Sequence, residues 1–115
     1  MKTINVSDLP KAGPYSHAVI SKDSIYLSGQ TGDGESFREQ FMNTMKKIIK
    51  ILEESGSYLN KVCKVTVYLS KAEYFQEMND LYGKYFKNEF PARTTVIVNF
   101  PNSKTLVEID VIAEK

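Results

Sequence analysis

Two short apolar runs lie near the start of the chain. They cover residues 17–20 and 25–28, and the polar residues 21–24 separate them. Short apolar runs joined by a polar turn are typical of a β-hairpin. The residues before this pair include three that interrupt regular structure, namely Pro10, Gly13 and Pro14. We therefore predict an irregular N-terminal segment followed by two paired strands.

A helical period follows a glycine-rich break at residues 29–34. The apolar positions then recur every three or four residues and form one stripe: Phe37, Phe41, Met45, Ile48, Ile49 and Leu52. Ser36 is a suitable N-cap residue, and Glu39 stands three residues later, as a capping box requires. Gly56 is a suitable stop signal. The pattern predicts an amphipathic helix that begins at Phe37 and ends before Gly56.

The second half of the chain repeats the strand and helix signals. Residues 62–69 are rich in β-branched side chains and alternate in polarity, which predicts a strand whose buried face includes Cys63. A second helix is predicted over about residues 72–87, with five side chains on its inner face: Phe75, Met78, Tyr82, Tyr85 and Phe86. Residues 93–100 and 106–113 are predicted to form two further strands around a Pro-Asn-Ser turn.

The predicted elements follow the order β-β-α-β-α-β-β, without a linker or an internal repeat. This order predicts a single α+β domain over residues 1–115, in which two helices cover one face of a mixed sheet. In the last strand the apolar alternate positions face the helices, so Glu108 points to the opposite face.

The strand over residues 93–100 admits either orientation. If Val96 and its alternate neighbours meet the helices, then Arg93 and Thr95 share the open sheet face with Glu108. That face carries both apolar and charged side chains, and no remaining segment covers it. A bare face of this kind is more readily explained as a subunit interface than as free surface. We therefore expect a symmetric oligomer with Arg93 and Glu108 in or beside the contact.

Composition and charge narrow the functional classes. A formal net charge of +1 offers no basic footprint for phosphates, which argues against nucleic acid as a partner. No apolar stretch approaches the roughly 20 residues that span a bilayer, and no signal peptide is recognisable, so we expect a cytoplasmic location and no membrane partner. One histidine and one cysteine build neither a disulfide nor a multi-ligand metal site, so we expect no metal.

Three side chains are candidates for chemistry. Arg93 offers a planar two-donor fork that matches a carboxylate, although a salt bridge explains it equally well. Glu108 lies in an apolar strand, where desolvation would raise its pKa and suit it to hold water; an interface ion pair is the alternative. Tyr15 follows a rigid Gly-Pro turn that can aim its hydroxyl, or it is a packing tyrosine. His17 is interpreted as structural, because no catalytic partner stands at a recognisable spacing.

Four segments carry a resemblance to a known family. They read Gly-Pro-Tyr-Ser-His-Ala-Val, Tyr-Leu-Ser-Gly-Gln, Pro-Ala-Arg-Thr-Thr-Val and Val-Glu-Ile-Asp-Val-Ile-Ala. In this order and spacing, the chain resembles the RidA (YjgF) family over nearly its whole length. The resemblance implies a chorismate-mutase-like fold and a homotrimer with active sites in the clefts between subunits. It also implies hydrolysis of reactive 2-imino acids, such as 2-iminopropionate and 2-iminobutyrate, to 2-keto acids and ammonia without a cofactor.

The resemblance also implies roles for particular residues. Arg93 corresponds to the arginine that binds the substrate carboxylate, and Glu108 to the glutamate that helps to place the attacking water. Tyr15 resembles the tyrosine of the cleft. Ser28 and Gly29, in the second segment, are expected to contact the substrate.

Two departures from the family pattern bear on specificity. Thr95 stands where many relatives have cysteine, and the backbone amide at that position is expected to contact the substrate. Thiol chemistry is therefore unsupported here. The loop after Gln30 is shorter than in typical members, which reshapes one wall of the cleft.

Three other functions stay open on the sequence alone. The first is a non-catalytic trimer that binds or senses a small keto or amino acid through Arg93. The second is an RNA-cleaving or translation-inhibiting activity, as reported for some relatives. The third is a chaperone-like interaction protein.

Overall fold

A computed structural model describes all 115 residues of the chain. It contains two helices and one six-stranded sheet. The elements are β1 (Lys2–Ile4), β2 (Ala18–Ser21), β3 (Ser24–Leu27), α1 (Phe37–Glu54), β4 (Val62–Leu69), α2 (Phe75–Tyr85), β5 (Ala92–Ile97) and β6 (Val107–Glu114). Single 3₁₀ turns at Leu59–Lys61 and Ala72–Tyr74 precede β4 and α2.

The sheet is mixed, with the strand order β1-β2-β3-β6-β4-β5. Every neighbouring pair is antiparallel except β4 and β5, which are parallel. Parallel neighbours need a crossover connection, and α2 supplies it. The predicted α+β fold is confirmed, and the order of its elements is as expected. The structure adds the short edge strand β1, which the sequence pattern does not reveal.

The first helix begins where its cap predicts. The Glu39 amide donates to Ser36 Oγ at 3.1 Å, and the Ser36 amide donates to Glu39 Oε1 at 3.2 Å. This reciprocal pair satisfies two amides that the helix itself leaves free. The buried side of α1 packs against β6 and α2 and forms, with the inner face of the sheet, one cluster of 22 buried apolar residues. Ile49 of the predicted stripe is only partly buried, and Ile51 is buried instead.

The expectation that Cys63 is buried is wrong, since its side chain is exposed. The pairing of β4 with β6 shifts register between Val62 and Lys64, so an irregularity interrupts the alternation of the strand. Val62 therefore turns inward, and the Cys63 thiol lies outside, 3.3 Å from the carbonyl oxygen of Ile112. A one-residue irregularity of this kind moves a side chain to the other face.

The second helix is shorter than predicted and its inner face is composed differently. It begins at Phe75, whose side chain is 45% exposed and lies beyond the edge of the core. Tyr85 is only partly buried. The buried stripe instead consists of Met78, Leu81 and Tyr82, at the i, i+3 and i+4 positions of one helical face, followed by Phe86 at the C-cap.

Of the two orientations that the sequence allows for the strand around Arg93, the structure shows the one that does not place Arg93 and Thr95 beside Glu108. In the parallel pair, Arg93 lies in register with Val65, which is fully buried beneath the helices. Residues in register on neighbouring strands point to the same face, so Arg93 and Thr95 face the helices. Val96 lies on the open face and is 37% exposed. Because β5 is an edge strand that α2 covers only in part, its helix-facing side accommodates a cation.

Candidate active site

Arg93 is a partly buried cation without an anionic partner in the chain. Its Cζ atom lies 4.8 Å from the ring centroid of Tyr82 and 5.9 Å from that of Phe75. Its Nη1 atom is 3.6 Å from the Met78 sulfur. The two ion pairs of the protein are Lys50 with Asp8 and Lys71 with Glu73, so neither involves Arg93. A ring face holds a guanidinium without neutralising it, which leaves the positive charge available to a bound anion.

An open cavity of about 450 Å³ adjoins this guanidinium. Its walls are formed by the C-terminal half of α2 and the loop that enters β5, and its lining consists of Asn79, Tyr82, Gly83, Phe90, Pro91 and Arg93. The Tyr82 hydroxyl is buried without a hydrogen-bond partner, and desolvation raises its pKa. The cavity thus combines one cation with aromatic walls, the composition expected for a small ligand that has an acidic end.

A second group of candidate residues surrounds Glu108. This carboxylate is half-buried near the start of β6, and burial, together with the nearby charge of Asp110, raises its pKa. It lies so close to Gly29 that a Cβ atom there would collide with Oε2. Only a glycine at position 29 leaves the Glu108 carboxylate where it is, because a side chain there would displace it.

Gly29 lies in a bulge between β3 and β6. Tyr26 pairs with Ile112, and Gln30, four residues later, pairs with Ile109, only three residues earlier on β6. One extra residue is therefore accommodated on the β3 side. Bulges commonly redirect side chains near active sites, and this one places the backbone of Gly29 beneath the carboxylate.

Ser28 connects this bulge to the segment that carries Tyr15. Its amide donates to the carbonyl of His17 at 3.0 Å, and its hydroxyl donates to the carbonyl of Ser16 at 2.6 Å. Tyr15 is the residue directly before Ser16, and it is 41% exposed. The Tyr15 hydroxyl oxygen accepts a hydrogen bond from the Ala12 amide at 3.1 Å, which leaves its own proton free to donate.

Glu108 thus contacts Gly29, and Ser28 links the bulge to the segment that carries Tyr15, but Arg93 and Thr95 lie elsewhere. Glu108 on β6 and Val96 on β5 both pair with Tyr68 of β4, which lies between them. Arg93 is three residues before Val96 on β5. Given typical strand spacing and rise, the Cα atoms of Arg93 and Glu108 are about 14 Å apart. Their side chains also point to opposite faces of the sheet. One small substrate cannot contact both residues within a single chain.

The open face near Glu108 carries a polar pair that the sequence analysis does not single out. The Tyr68 hydroxyl donates to Asp110 Oδ2 at 2.7 Å, and this bond raises the pKa of Tyr68 to about 12. Asp110 is two residues after Glu108 on β6 and so shares its face of the sheet. This spacing is the signal that could have identified Asp110 from the sequence. Asn79 and Tyr82, in the cavity beside Arg93, were signalled only by their place on the helix that precedes β5.

His17 is confirmed as a buried structural residue, because both of its ring nitrogens contact backbone groups. No group of three or more His, Cys, Asp or Glu side chains is placed to hold a metal ion. Neither helix has the length and apolar character needed to cross a membrane.

Comparisons with known proteins identify relatives of the chain. Residues 6–115 match the family model described as Endoribonuclease L-PSP. The chain is 40% identical to a RutC family protein of Saccharolobus solfataricus, over 90% of this chain and 88% of that protein. It is 33% identical to human 2-iminobutanoate/2-iminopropanoate deaminase, over 97% of this chain and 88% of the human protein.

The solved structures give the same result. The crystal structure of RidA from the Antarctic bacterium Psychrobacter sp. PAMC 21119 superimposes with a TM-score of 0.94 at 30% sequence identity, and the match covers 100% of both chains. Yeast Mmf1 superimposes with a TM-score of 0.92 at 30% identity, over 99% of this chain and 98% of that one. The family match spans nearly the whole sequence, and the structural matches span the whole fold. The chain therefore belongs to the Endoribonuclease L-PSP family, which is the YjgF/RidA family.

Proposed function

We propose that the protein hydrolyses 2-imino acids to 2-keto acids and ammonia, in a site that two copies of the chain build together. The observation that carries this proposal is the Arg93 guanidinium, which lies over the Tyr82 ring beside an open cavity and has no anionic partner. A human relative named 2-iminobutanoate/2-iminopropanoate deaminase supports the same reaction.

The first step is capture of the substrate carboxylate by Arg93. A guanidinium donates two parallel hydrogen bonds to a carboxylate, and Tyr82 keeps the plane of the fork fixed from below. The Thr95 backbone, two residues along β5, is expected to add a contact near the reacting carbon. Binding at two points orients the imine and converts the attack of water into an effectively intramolecular step.

The second step is addition of water to the imine carbon. The water oxygen bonds to the imine carbon while Glu108 accepts one proton of the water and passes it to the imine nitrogen, which gives a neutral carbinolamine. Burial raises the pKa of Glu108, so this carboxylate is a stronger base than an ordinary one. Tyr15, whose proton is free, donates a hydrogen bond to the nitrogen or to the developing alkoxide.

The third step releases the products. Glu108 accepts the hydroxyl proton of the carbinolamine and delivers it to the nitrogen as the carbon–nitrogen bond breaks, so the carbonyl of the keto acid forms and the nitrogen leaves as ammonia. Glu108 is again an ionised carboxylate, so the enzyme ends in its starting state. Every atom of the products comes from the imino acid and one water, and the reaction needs no cofactor.

The site is composite because its two halves are separated within one chain. The Arg93 half of one copy and the half that contains Tyr15, Ser28, Gly29 and Glu108 of another form the complete site when the β5 edge of one copy meets the open sheet face of the other in a homotrimer. Tyr26 and Ile112, a cross-strand pair on that face, supply apolar contact area. A rotationally symmetric trimer closes on itself and gives three equal sites.

A trapping assay tests this function. An amino-acid oxidase generates 2-iminopropionate, 2-iminobutyrate or a longer 2-imino acid, and semicarbazide captures the imine that survives. Wild-type protein is expected to lower the captured fraction in proportion to its concentration. Arg93→Ala should leave the captured fraction as high as in the assay without protein. Arg93→Lys should retain only part of the wild-type activity, because lysine lacks the fork. Equal capture with and without the wild-type protein rejects the proposal and leaves binding without turnover as the alternative.

A further inference from the structure

His17 joins both ends of a short N-terminal segment to the sheet. It is 1% exposed, and its Nδ1 atom accepts a hydrogen bond from the Val6 amide at 2.9 Å. Its Nε2 atom lies 3.3 Å from the carbonyl oxygen of Pro10. Because Nδ1 accepts, the ring proton resides on Nε2, which donates to Pro10. The imidazole, directly before β2, therefore binds the backbone of residues 6 and 10 at the same time.

Few other interactions hold this segment. Within it, the Leu9 amide donates to the Val6 carbonyl at 3.1 Å. Outside it, Asp8 pairs with Lys50 of α1, and both of these side chains are largely exposed. Exposed ion pairs contribute little to stability. The buried side chain of Val6, the partly buried Leu9 and the His17 imidazole are thus the main attachments of residues 6–10, and His17 alone bonds the backbone at both ends.

The segment leads directly to the tyrosine of the proposed site. Two residues after Pro10, the Ala12 amide donates to the Tyr15 hydroxyl at 3.1 Å. The Tyr15 amide in turn donates to the Gly13 carbonyl at 3.1 Å and closes the turn. The position of the Tyr15 hydroxyl is therefore set by the backbone of Ala12, and the start of that backbone is fixed by His17.

We infer that His17 is a positioning residue for imine hydrolysis: its imidazole fixes the loop that orients the Tyr15 hydroxyl toward the substrate. This inference rests on the proposed function. His17 touches no substrate, and its effect passes through Tyr15. A displacement of about 1 Å in a group that contacts the reacting atoms can lower the rate by up to roughly 100-fold.

A double-mutant cycle tests this inference. Steady-state kinetics are measured for wild type, His17→Leu, Tyr15→Phe and the double variant. Each single variant is expected to lower kcat by about tenfold or more with little change in KM, because the carboxylate contact at Arg93 is retained. His17→Leu should cause no further loss in the Tyr15→Phe background. Additive losses, or a wild-type kcat for His17→Leu, overturn the inference.

Conservative variants separate positioning from a general packing role. His17→Gln carries one acceptor and one donor that can reach the same two backbone groups, and it should restore most of kcat. His17→Asn is shorter and cannot reach both, so it should remain impaired even though it folds. This variant decides the question if His17→Leu does not fold. Lys50→Ala removes the surface ion pair of the same segment and should leave kcat unchanged.

Amide hydrogen exchange gives a readout that does not depend on turnover. The Val6 and Ala12 amides should be protected in wild type and in His17→Gln, and should exchange at least about tenfold faster in His17→Asn. If the wild-type protein hydrolyses no imine, the proposed function fails. The exchange data still decide whether His17 fixes the segment that precedes Tyr15. Unchanged protection of Ala12 in His17→Asn shows that His17 does not set the Tyr15 loop.

Discussion

The Glu108 carboxylate lies directly against the backbone of Gly29, in the space that a side chain at position 29 would fill. This contact defines the position of the proposed base, and the next residues along both strands, Gln30 and Ile109, exchange two backbone hydrogen bonds. Gly29 is not in the left-handed region of backbone conformation, so alanine is tolerated there by the backbone itself. The clash alone determines the effect of a substitution.

Gly29→Ala is expected to displace Glu108 and to lower kcat by roughly tenfold to 100-fold, because the attacking water is no longer held at the right distance. KM should change less, since Arg93 is on another strand. Steady-state kinetics check the effect, and circular dichroism confirms that the variant is folded. Wild-type kinetics in a folded Gly29→Ala protein would show that Glu108 does not act from this position.

The raised pKa of Glu108 predicts a specific pH dependence. The ionised carboxylate is the base, so kcat/KM should fall on the acid side at a pH above the ordinary value of 4.5 for glutamate. Glu108→Gln should remove the activity along with this limb of the profile. An acid limb at or below the ordinary value would contradict the role of Glu108 as the base.

The same shift predicts the pH dependence of folding. The folded state holds the Glu108 proton more tightly than the unfolded chain does, so the free energy of unfolding should decrease as pH rises from 4.5 through the raised pKa. Glu108→Gln should abolish that part of the decrease. Urea unfolding of both proteins across this range checks the sign. If the free energy of unfolding changes with pH by the same amount in both proteins, burial does not raise the pKa of Glu108.

Tyr82 is expected to act through its ring and not through its hydroxyl. Tyr82→Phe keeps the face that holds Arg93 and removes a buried hydroxyl without a partner, so KM should stay the same and the unfolding free energy should rise by up to about 1 kcal/mol. Tyr82→Leu removes the ring and should raise KM. An equal rise in KM for both variants would assign the effect to the hydroxyl instead.

The open sheet face is expected to form the contact between copies. Tyr26→Glu places a charge on this face and should convert trimers into monomers, with loss of activity. Met42→Glu is the matched control, because Met42 is exposed to a similar extent on α1. Sedimentation velocity measures both. A Tyr26→Glu variant that remains trimeric would place the contact on another surface.

The parts of the fold that could be predicted are those that local signals determine. The capping box of Ser36 and Glu39 defines the start of α1, and the alternation of residues 62–69 marks β4 at its true bounds. The register of β5 depends on pairing with a strand 28 residues earlier, as in Val65 with Arg93, and no local pattern carries that information. Cys63 was misplaced for a similar reason, since the register shift beside it arises from pairing with β6.

The candidate site was predictable as a set of residues but not as an arrangement. Arg93, Glu108 and Tyr15 are identified by chemistry and resemblance, yet the sequence left open whether Arg93 and Glu108 share a face of the sheet, and they lie on opposite faces. In an edge strand, polar and apolar residues alternate, but this pattern does not reveal which side meets the helices. A charged residue can lie on the helix-facing side when aromatic rings contact it, as Tyr82 contacts Arg93. This arrangement strengthens the requirement for a second chain, because the two residues cannot act together within one.

Subunit complementation tests the composite site most directly. Arg93→Ala and Glu108→Gln, each inactive alone, are unfolded together at equal concentration and allowed to reassemble. If each site takes Arg93 from one copy and Glu108 from another, about a quarter of the sites in random trimers contain both intact residues, and about a quarter of the wild-type activity should return. If both residues of a site come from the same chain, every site in the mixture carries one defect. The mixture would then stay as inactive as its components, and the account would be contradicted.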